Sequence, residues 1–409
     1  MTARSAVEFL IWLLIAASAI ALLARRLRIP YTAALVVGGL ILGLLRLPLL
    51  SPLVPGQRPN WLTPEVILIL FLPALIFEGS IKIDLRDLLR DWVPLLLLAN
   101  AGVLAATLVT GYLVHWVVGL PLMIALIFGA IVSATDPISV LALFKDLKMD
   151  KRLSVIIEGE SLLNDGTAVV LFQIMLAAFV VVNPGIARGA GQFLLAVVGG
   201  AALGFFLGYI CSKVTERIDD PEVEITLTTI VAYGSYLLAQ HLHLSGVIAT
   251  LSAGLMVGNF GAKHGMSAQT RAAVESFWEY VAFVMNSLVF LLIGLEVHLM
   301  AIAHFWVPVM LAIVAVLIGR VVSVYPLVQL SNFFAERIPI RWQHVIVWGG
   351  LRGSLALALV LSLDSNFPYR AQIRDLTFGV VVFSILVQGL TIKPLLRFLG
   401  LADGDNTDR

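Results

Sequence analysis

Three carboxylates fall within eight residues at Glu158-Gly159-Glu160-Ser161-Leu162-Leu163-Asn164-Asp165, and an apolar stretch continues beyond them. Glu160 and Asn164 are four apart, as are Ser161 and Asp165, so on a helix each pair lies along one face. Upstream, Ala134-Thr135-Asp136-Pro137 interrupts another apolar run. Downstream, Trp348-Gly349-Gly350-Leu351-Arg352-Gly353-Ser354 sets an arginine among three glycines. Carboxylate, hydroxyl, amide and unwound main-chain oxygens suit a hard monovalent cation, and nothing soft enough for a transition metal accompanies them. Asp165, Ser161 and Thr135, with Asp136 beside them, form the candidate oxygen shell. Glu160 reads as structural, because Arg352 in an apolar segment needs an anionic partner. Glu158 lies about two turns before Asp165 and suits a helix cap in water.

The elements that must hold these residues are membrane spans. The chain has 409 residues, of which 60% are hydrophobic and only 13% charged, with a mean hydropathy of +0.98. A soluble domain carries about twice that charge. Many runs are long enough to cross a hydrocarbon core of about 30 Å, and none alternates as a membrane barrel strand does. The fold class is an all-α polytopic membrane protein. About thirteen spans are predicted, near 7–24, 31–46, 62–80, 92–118, 120–147, 151–182, 190–215, 222–241, 244–260, 273–297, 302–331, 341–363 and 373–398. Under that count 19 of the 27 Lys and Arg fall on one side and 6 on the other. The positive-inside rule then puts the N-terminus outside and the C-terminus in the cytoplasm. The loops are too short for a soluble domain, and the first apolar run reads as a span, not a cleaved signal. A net charge of +1 gives no attraction to nucleic acid, and the single Cys211 allows no intramolecular disulfide. No nucleotide-binding loop of the Walker type is present, which argues against an ATP-driven pump. Gly200, Gly204 and Gly208 recur every four residues, as a close helix-packing seam requires.

Residues 29–43 and 244–258 align without gaps, with Ala34/Ala249, Gly39/Gly254, Leu40/Leu255 and Gly43/Gly258 identical. The offset of 215 carries Asp136 onto Leu351, next to Arg352. Because the paired spans are seven apart, the two copies run in opposite directions, an inverted-topology repeat. Pro137 disfavours helix at the residue before it, and the glycines weaken the other span, so two discontinuous helices are expected to cross. Asp136 would then meet exposed amides and positive helix ends, and Arg352 negative ones. In such a dry crevice a proton and Na⁺ compete for the Asp165 carboxylate. If it crosses loaded with one or the other, exchange is one for one and electroneutral. An aspartate in place of Asn164 would allow two protons per cation.

Together with Phe290-Leu291-Leu292-Ile293-Gly294-Leu295-Glu296, these motifs resemble the NhaP/NHE-type sodium–proton antiporters with an Asn-Asp centre, over essentially the whole chain. The resemblance implies thirteen helices, a homodimer in the lipid bilayer, and a core bundle moving against a dimerisation scaffold. On this chain the core is expected at about 62–182 and 273–398 except 302–331, and the scaffold at about 1–61, 190–260 and 302–331. By the same resemblance Asp165 is the essential cation- and proton-binding residue, with Asn164 its neighbour. Ser161, Thr135 and Asp136 lie around the ion, and Glu78 helps hold it. Glu160 and Arg352 match a buried ion pair, and Arg320 matches a structural arginine. No cofactor is implied, since Na⁺ and H⁺ are substrates, and no regulatory tail is expected after the last span. A prokaryotic cytoplasmic membrane fits. Three alternatives stay open. They are K⁺ or Na⁺ exchange for H⁺, a Na⁺-coupled solute symporter, and an intramembrane hydrolase with Asp136 and Asp165 as its dyad.

Overall fold

With no water to satisfy main-chain groups, an apolar segment must close its hydrogen bonds within itself, and the chain does so as helix after helix. The computed structural model describes residues 3–27, 29–45, 64–180, 186–296, 305–364 and 366–401, and they contain no strand. The first helices are α1 (Ala3–Leu27), α2 (Tyr31–Leu45), α3 (Pro64–Lys82), a short α4 (Leu85–Arg90) and α5 (Trp92–Val118). Next come α6 (Leu122–Ile131), α7 (Ile138–Leu147), α8 (Lys151–Val180), α9 (Ile186–Thr215), α10 (Pro221–His241) and α11 (Gly246–Gly261). The chain finishes with α12 (Ala268–Glu296), α13 (Trp306–Ser331), α14 (Ile340–Gly349), α15 (Ser354–Ser362) and α16 (Arg370–Phe398). Among the described residues seven helices are long and apolar enough to cross a membrane, and α14 with α15, bent by 42° at their break, make an eighth. Residues 402–409 and parts of the predicted second, third, sixth, tenth and eleventh spans lie outside the described residues.

Local chemistry sets many of the ends. Asp84 caps α4 by accepting from the Arg86 amide, and Asp220 caps α10 with Pro221 at its first position. Gly119 ends α5 at φ 81°, a left-handed turn that glycine adopts without strain. Single π-helical turns interrupt α5 at Leu97–Gly102, α11 at Val257–Gly261 and α16 at Ser384–Gln388.

Close approaches between helices follow the 215-residue offset. Gly39 of α2 lies where a methyl would overlap Leu291 O and come within 3.1 Å of Leu295 N on α12. Gly254 of α11 lies where a methyl would overlap Ser80 Oγ on α3. Gly39 and Gly254 are 215 apart, and so are Leu295 and Ser80, so one contact is the sequence-shifted image of the other. The glycine stripe of α9 packs on α11, with Gly200 against Ser245 O, Gly204 against Ala249 O and Gly208 against Ala253 O. Small residues there let two backbones touch in a setting where lipid gives no hydrophobic drive for association.

Three segments have contacts that bear on the expected division into core and scaffold. The sequence reading set 302–331 with the scaffold, and 62–182 and the rest of 273–398 with the core. In the structure α13 lies on α5, where Gly319 meets Thr110 and Ala106, and its Arg320 reaches Glu160 on α8. Meanwhile α3 and α12 pack on α11 and α2 through the glycine contacts above. Chain order could not assign α13, because its one charged residue has a partner 160 positions away.

Candidate functional site

The site forms where the two interrupted helices touch. Residues 132–137 leave helix between α6 and α7, and residues 350–353 do so between α14 and α15. The Asp136 amide donates to Leu351 O at 2.7 Å, so the two positions related by the 215 offset meet directly. Unwinding frees main-chain groups, and each must find a partner inside the protein. The Arg352 guanidinium supplies donors for one set, with Nη1 donating to Ser133 O and, at 2.9 Å, to Ala134 O, just past the end of α6. The Arg352 amide donates to Ser384 Oγ at 2.8 Å, within the π turn of α16. A cation thus sits at a helix C-terminal end, where the dipole favours it.

Asp136 does the opposite work. Its Oδ1 accepts from the Ile138 amide at 3.1 Å, capping α7. Its Oδ2 is buried and, among the described residues, has no hydrogen-bond partner. A Cβ at Gly353 would overlap this oxygen, so Gly353 leaves the space that Asp136 fills. Gly350 makes a similar concession, since a Cβ there would lie 2.6 Å from Arg320 Nε. Two of the glycines around the break therefore make room for charged side chains and not for helix packing.

Helix α8 presents two functional faces. Glu160, Asn164 and Thr167 lie along one, which braces the protein interior. The Asn164 amide donates to Thr135 Oγ1 at 2.7 Å and accepts from the Thr135 amide at 3.3 Å, which an aspartate could not do in both directions. Thr167 Oγ1 donates to Asn100 Oδ1 at 3.2 Å, in the π turn of α5. Glu160 takes a two-pronged contact from Arg320, with Nη1 on Oε1 and Nη2 on Oε2 at 2.9 Å. Arg320 Nη2 also donates to Ile346 O at 3.0 Å. This corrects the sequence reading, which paired Glu160 with Arg352. Arg352 is instead spent on the carbonyls of the α6 break, so Glu160 takes the arginine of α13.

The other face of α8, Glu158, Ser161 and Asp165, lines a cavity of about 120 Å³ with Glu78, Thr135, Asp136, Asn286 and Ser354. Leu72, Ile76 and Leu162 supply apolar wall. The volume holds a few water molecules at most, or an alkali-metal ion with part of its hydration. Ser161 Oγ and Thr135 Oγ1 are 2.9 Å apart and hydrogen-bonded, joining α8 to the break. Among the described residues no hydrogen bond ties down the Asp165 carboxylate, which leaves it free to take up an ion. The predicted oxygen donors Asp165, Ser161, Thr135, Asp136 and Glu78 thus stand around one space. Glu158 stands there too, not in a cap facing water, and its spacing of three from Ser161 and seven from Asp165 could have placed it. Asn286, a buried amide of α12 whose Oδ1 has no partner among the described residues, was missed. A polar side chain inside an apolar run was its only signal.

Interrupted helices whose charged residues sit at opposite helix ends, around a small oxygen-lined cavity, define an α-helical membrane transporter for a small cation. A family model described as the transmembrane sodium/hydrogen exchanger matches residues 13–398. The chain is 43% identical over 391 residues to the Na(+)/H(+) antiporter NhaG of Bacillus atrophaeus, covering 94% of this chain and 73% of that protein. It is 39% identical over 399 residues to the Na(+)/H(+) antiporter NhaH of Halobacillus dabanensis, covering 97% and 98%. The solved sodium proton antiporter MjNhaP1 of Methanocaldococcus jannaschii superposes with a TM-score of 0.79 at 19% identity, over 98% of this chain and 99% of that one. The chain belongs to the sodium/hydrogen exchanger family, and it is an integral membrane protein.

Proposed function

We propose that the protein is a secondary transporter that exchanges Na⁺ for H⁺ across a membrane, with Asp165 carrying either ion. One observation carries the reading: Asp165 lines the same cavity as Ser161, Glu78 and the Thr135–Asp136 break, and among the described residues no donor occupies its carboxylate. Hydroxyl, carboxylate and main-chain oxygens are the ligands Na⁺ prefers. A proton taken up by Asp165 removes the charge that attracts the metal, so the two ions occupy the site in turn. The carboxylate is the single carrier, because Asn164 is an amide engaged with Thr135 and cannot take a second proton. Exchange is therefore one for one and electroneutral. Glu160 and Arg320 brace α8, and Arg352 holds the α6 break in place.

In this reading the chain crosses the membrane thirteen times, as two inverted repeats whose discontinuous helices cross at Asp136 and Leu351. The shared offset of the Gly39–Leu295 and Gly254–Ser80 contacts supports it. The moving unit comprises α5 to α8 and α13 to α16, and the scaffold comprises α1 to α3 and α9 to α12. The protein works as a homodimer in a prokaryotic cytoplasmic membrane, with its N-terminus outside and its C-terminus in the cytoplasm.

The test is purified protein in liposomes loaded with a pH-sensitive dye, to which Na⁺, Li⁺ or K⁺ is added. Proton movement that depends on Na⁺ is expected. Movement with K⁺ but not Na⁺ would move the protein to K⁺ exchange, and movement only with an added organic solute would make it a symporter.

A further inference from the structure

Beside the cavity, Lys82 at the end of α3 holds two carboxylates at once. Its Nζ donates to Glu78 Oε1 at 2.6 Å and to Glu279 Oε1 at 2.8 Å, the latter on α12. Side-chain exposure falls along this line, from 60% at Glu279 to 35% at Lys82 and 21% at Glu78. Glu78 in turn lines the cavity, with Glu158 and Asp165 beyond it. The three residues therefore form a graded path from solvent to the oxygen shell, with a positive charge standing in it.

We propose that Lys82 is a resident ammonium that competes with the transported cation for Glu78, and that Glu279 is the group that draws it aside. The proposal rests on the reading of Glu78 as part of the cation shell. An ammonium is a compact charge on a flexible four-carbon stem with three donors, so it trades one carboxylate for another within reach at little cost. While Lys82 is bound to Glu78, that carboxylate is compensated and attracts an incoming Na⁺ weakly. When Lys82 leans on Glu279 alone, the full charge of Glu78 faces the cavity. Glu279 is too exposed to hold a transported ion itself. Both are positioning residues that act through Glu78, and their effect falls on apparent affinity more than on turnover.

The experiment measures Na⁺-dependent proton flux in liposomes holding the full chain, at constant ionic strength maintained with choline. Lys82→Met should lower the KM for Na⁺ about two- to fivefold, the range of a half-exposed ion pair, with kcat little changed. Glu279→Gln should raise the KM by a similar factor, because Lys82 then has only Glu78. In the double variant the Glu279 change should be silent and the KM should match that of Lys82→Met, since Glu279 acts only through Lys82. If the bridge merely braces α3 against α12, both single variants shift KM in the same sense. If the charges act only as a general field at the mouth, the two effects add in the double variant. Either of these results, or no KM shift, overturns the proposal while leaving the antiport reading intact. An unaltered protein without Na⁺-dependent flux overturns both.

Discussion

Replacing Arg320 by methionine tests which arginine completes the interior. The substitution keeps a long side chain but removes the two contacts to Glu160 and the one to Ile346 O. It strands the Glu160 carboxylate, whose side chain is only 2% exposed, in a site where its partner is 8% exposed. Breaking a buried pair from one side costs about 3–5 kcal/mol, since an uncompensated charge remains. Removing the charge of Glu160 as well should return much of that loss. The Arg320→Met, Glu160→Gln double variant is therefore expected to be more stable than Arg320→Met alone. A double-mutant cycle should yield a coupling of about 2 kcal/mol or more for Glu160 with Arg320, within the range for groups in one network. The matching cycle for Glu160 with Arg352 should yield less, because Arg352 spends its Nη1 on Ser133 and Ala134 carbonyls. Stability is read from the fraction surviving as a monodisperse species in detergent across temperature and denaturant. An Arg320→Met protein as stable as the unaltered one, or a larger coupling for Arg352 than for Arg320, would refute the assignment.

Asp165→Asn should abolish Na⁺-dependent proton flux in liposomes while leaving yield near normal, because among the described residues the carboxylate has no structural bond to lose; retained exchange would contradict its role as carrier. For the unaltered protein, apparent Na⁺ affinity should weaken as pH falls, because a protonated Asp165 cannot ligate the metal. In the limit where the proton dominates, the apparent KM should rise about tenfold per unit of pH, and a flat profile counts against shared occupancy of one carboxylate. Flux should be insensitive to an imposed membrane potential, as one-for-one exchange requires, and a strong voltage dependence would show that more than one proton moves per Na⁺. Gly353→Ala alters no polar group but puts a methyl where Asp136 Oδ2 lies; overpacking of this kind costs about 1–3 kcal/mol, and a raised KM for Na⁺ at near-normal yield is expected. Unchanged kinetics would mean that Asp136 is not held by this contact.

Much of this protein was legible without coordinates. Low charge and long apolar runs dictate a helical membrane fold, because in lipid a segment has no other way to satisfy its backbone. The Thr135-Asp136-Pro137 run and the glycines around Arg352 marked two breaks, since proline and glycine act on the chain locally. The spacing of four between Ser161 and Asp165 put them on one face, and they do line one cavity. These are consequences of neighbouring residues, and sequence carries neighbours. Tertiary structure alone decided which charges meet. Glu160 had two arginines to choose from, at 320 and 352, and nothing local separates them. The choice follows from where α13 packs and from the carbonyls that the α6 break leaves open to Arg352. Glu158 and Asn286 entered the cavity for the same reason. Whether a polar side chain faces water or an interior space depends on what the rest of the fold places opposite it.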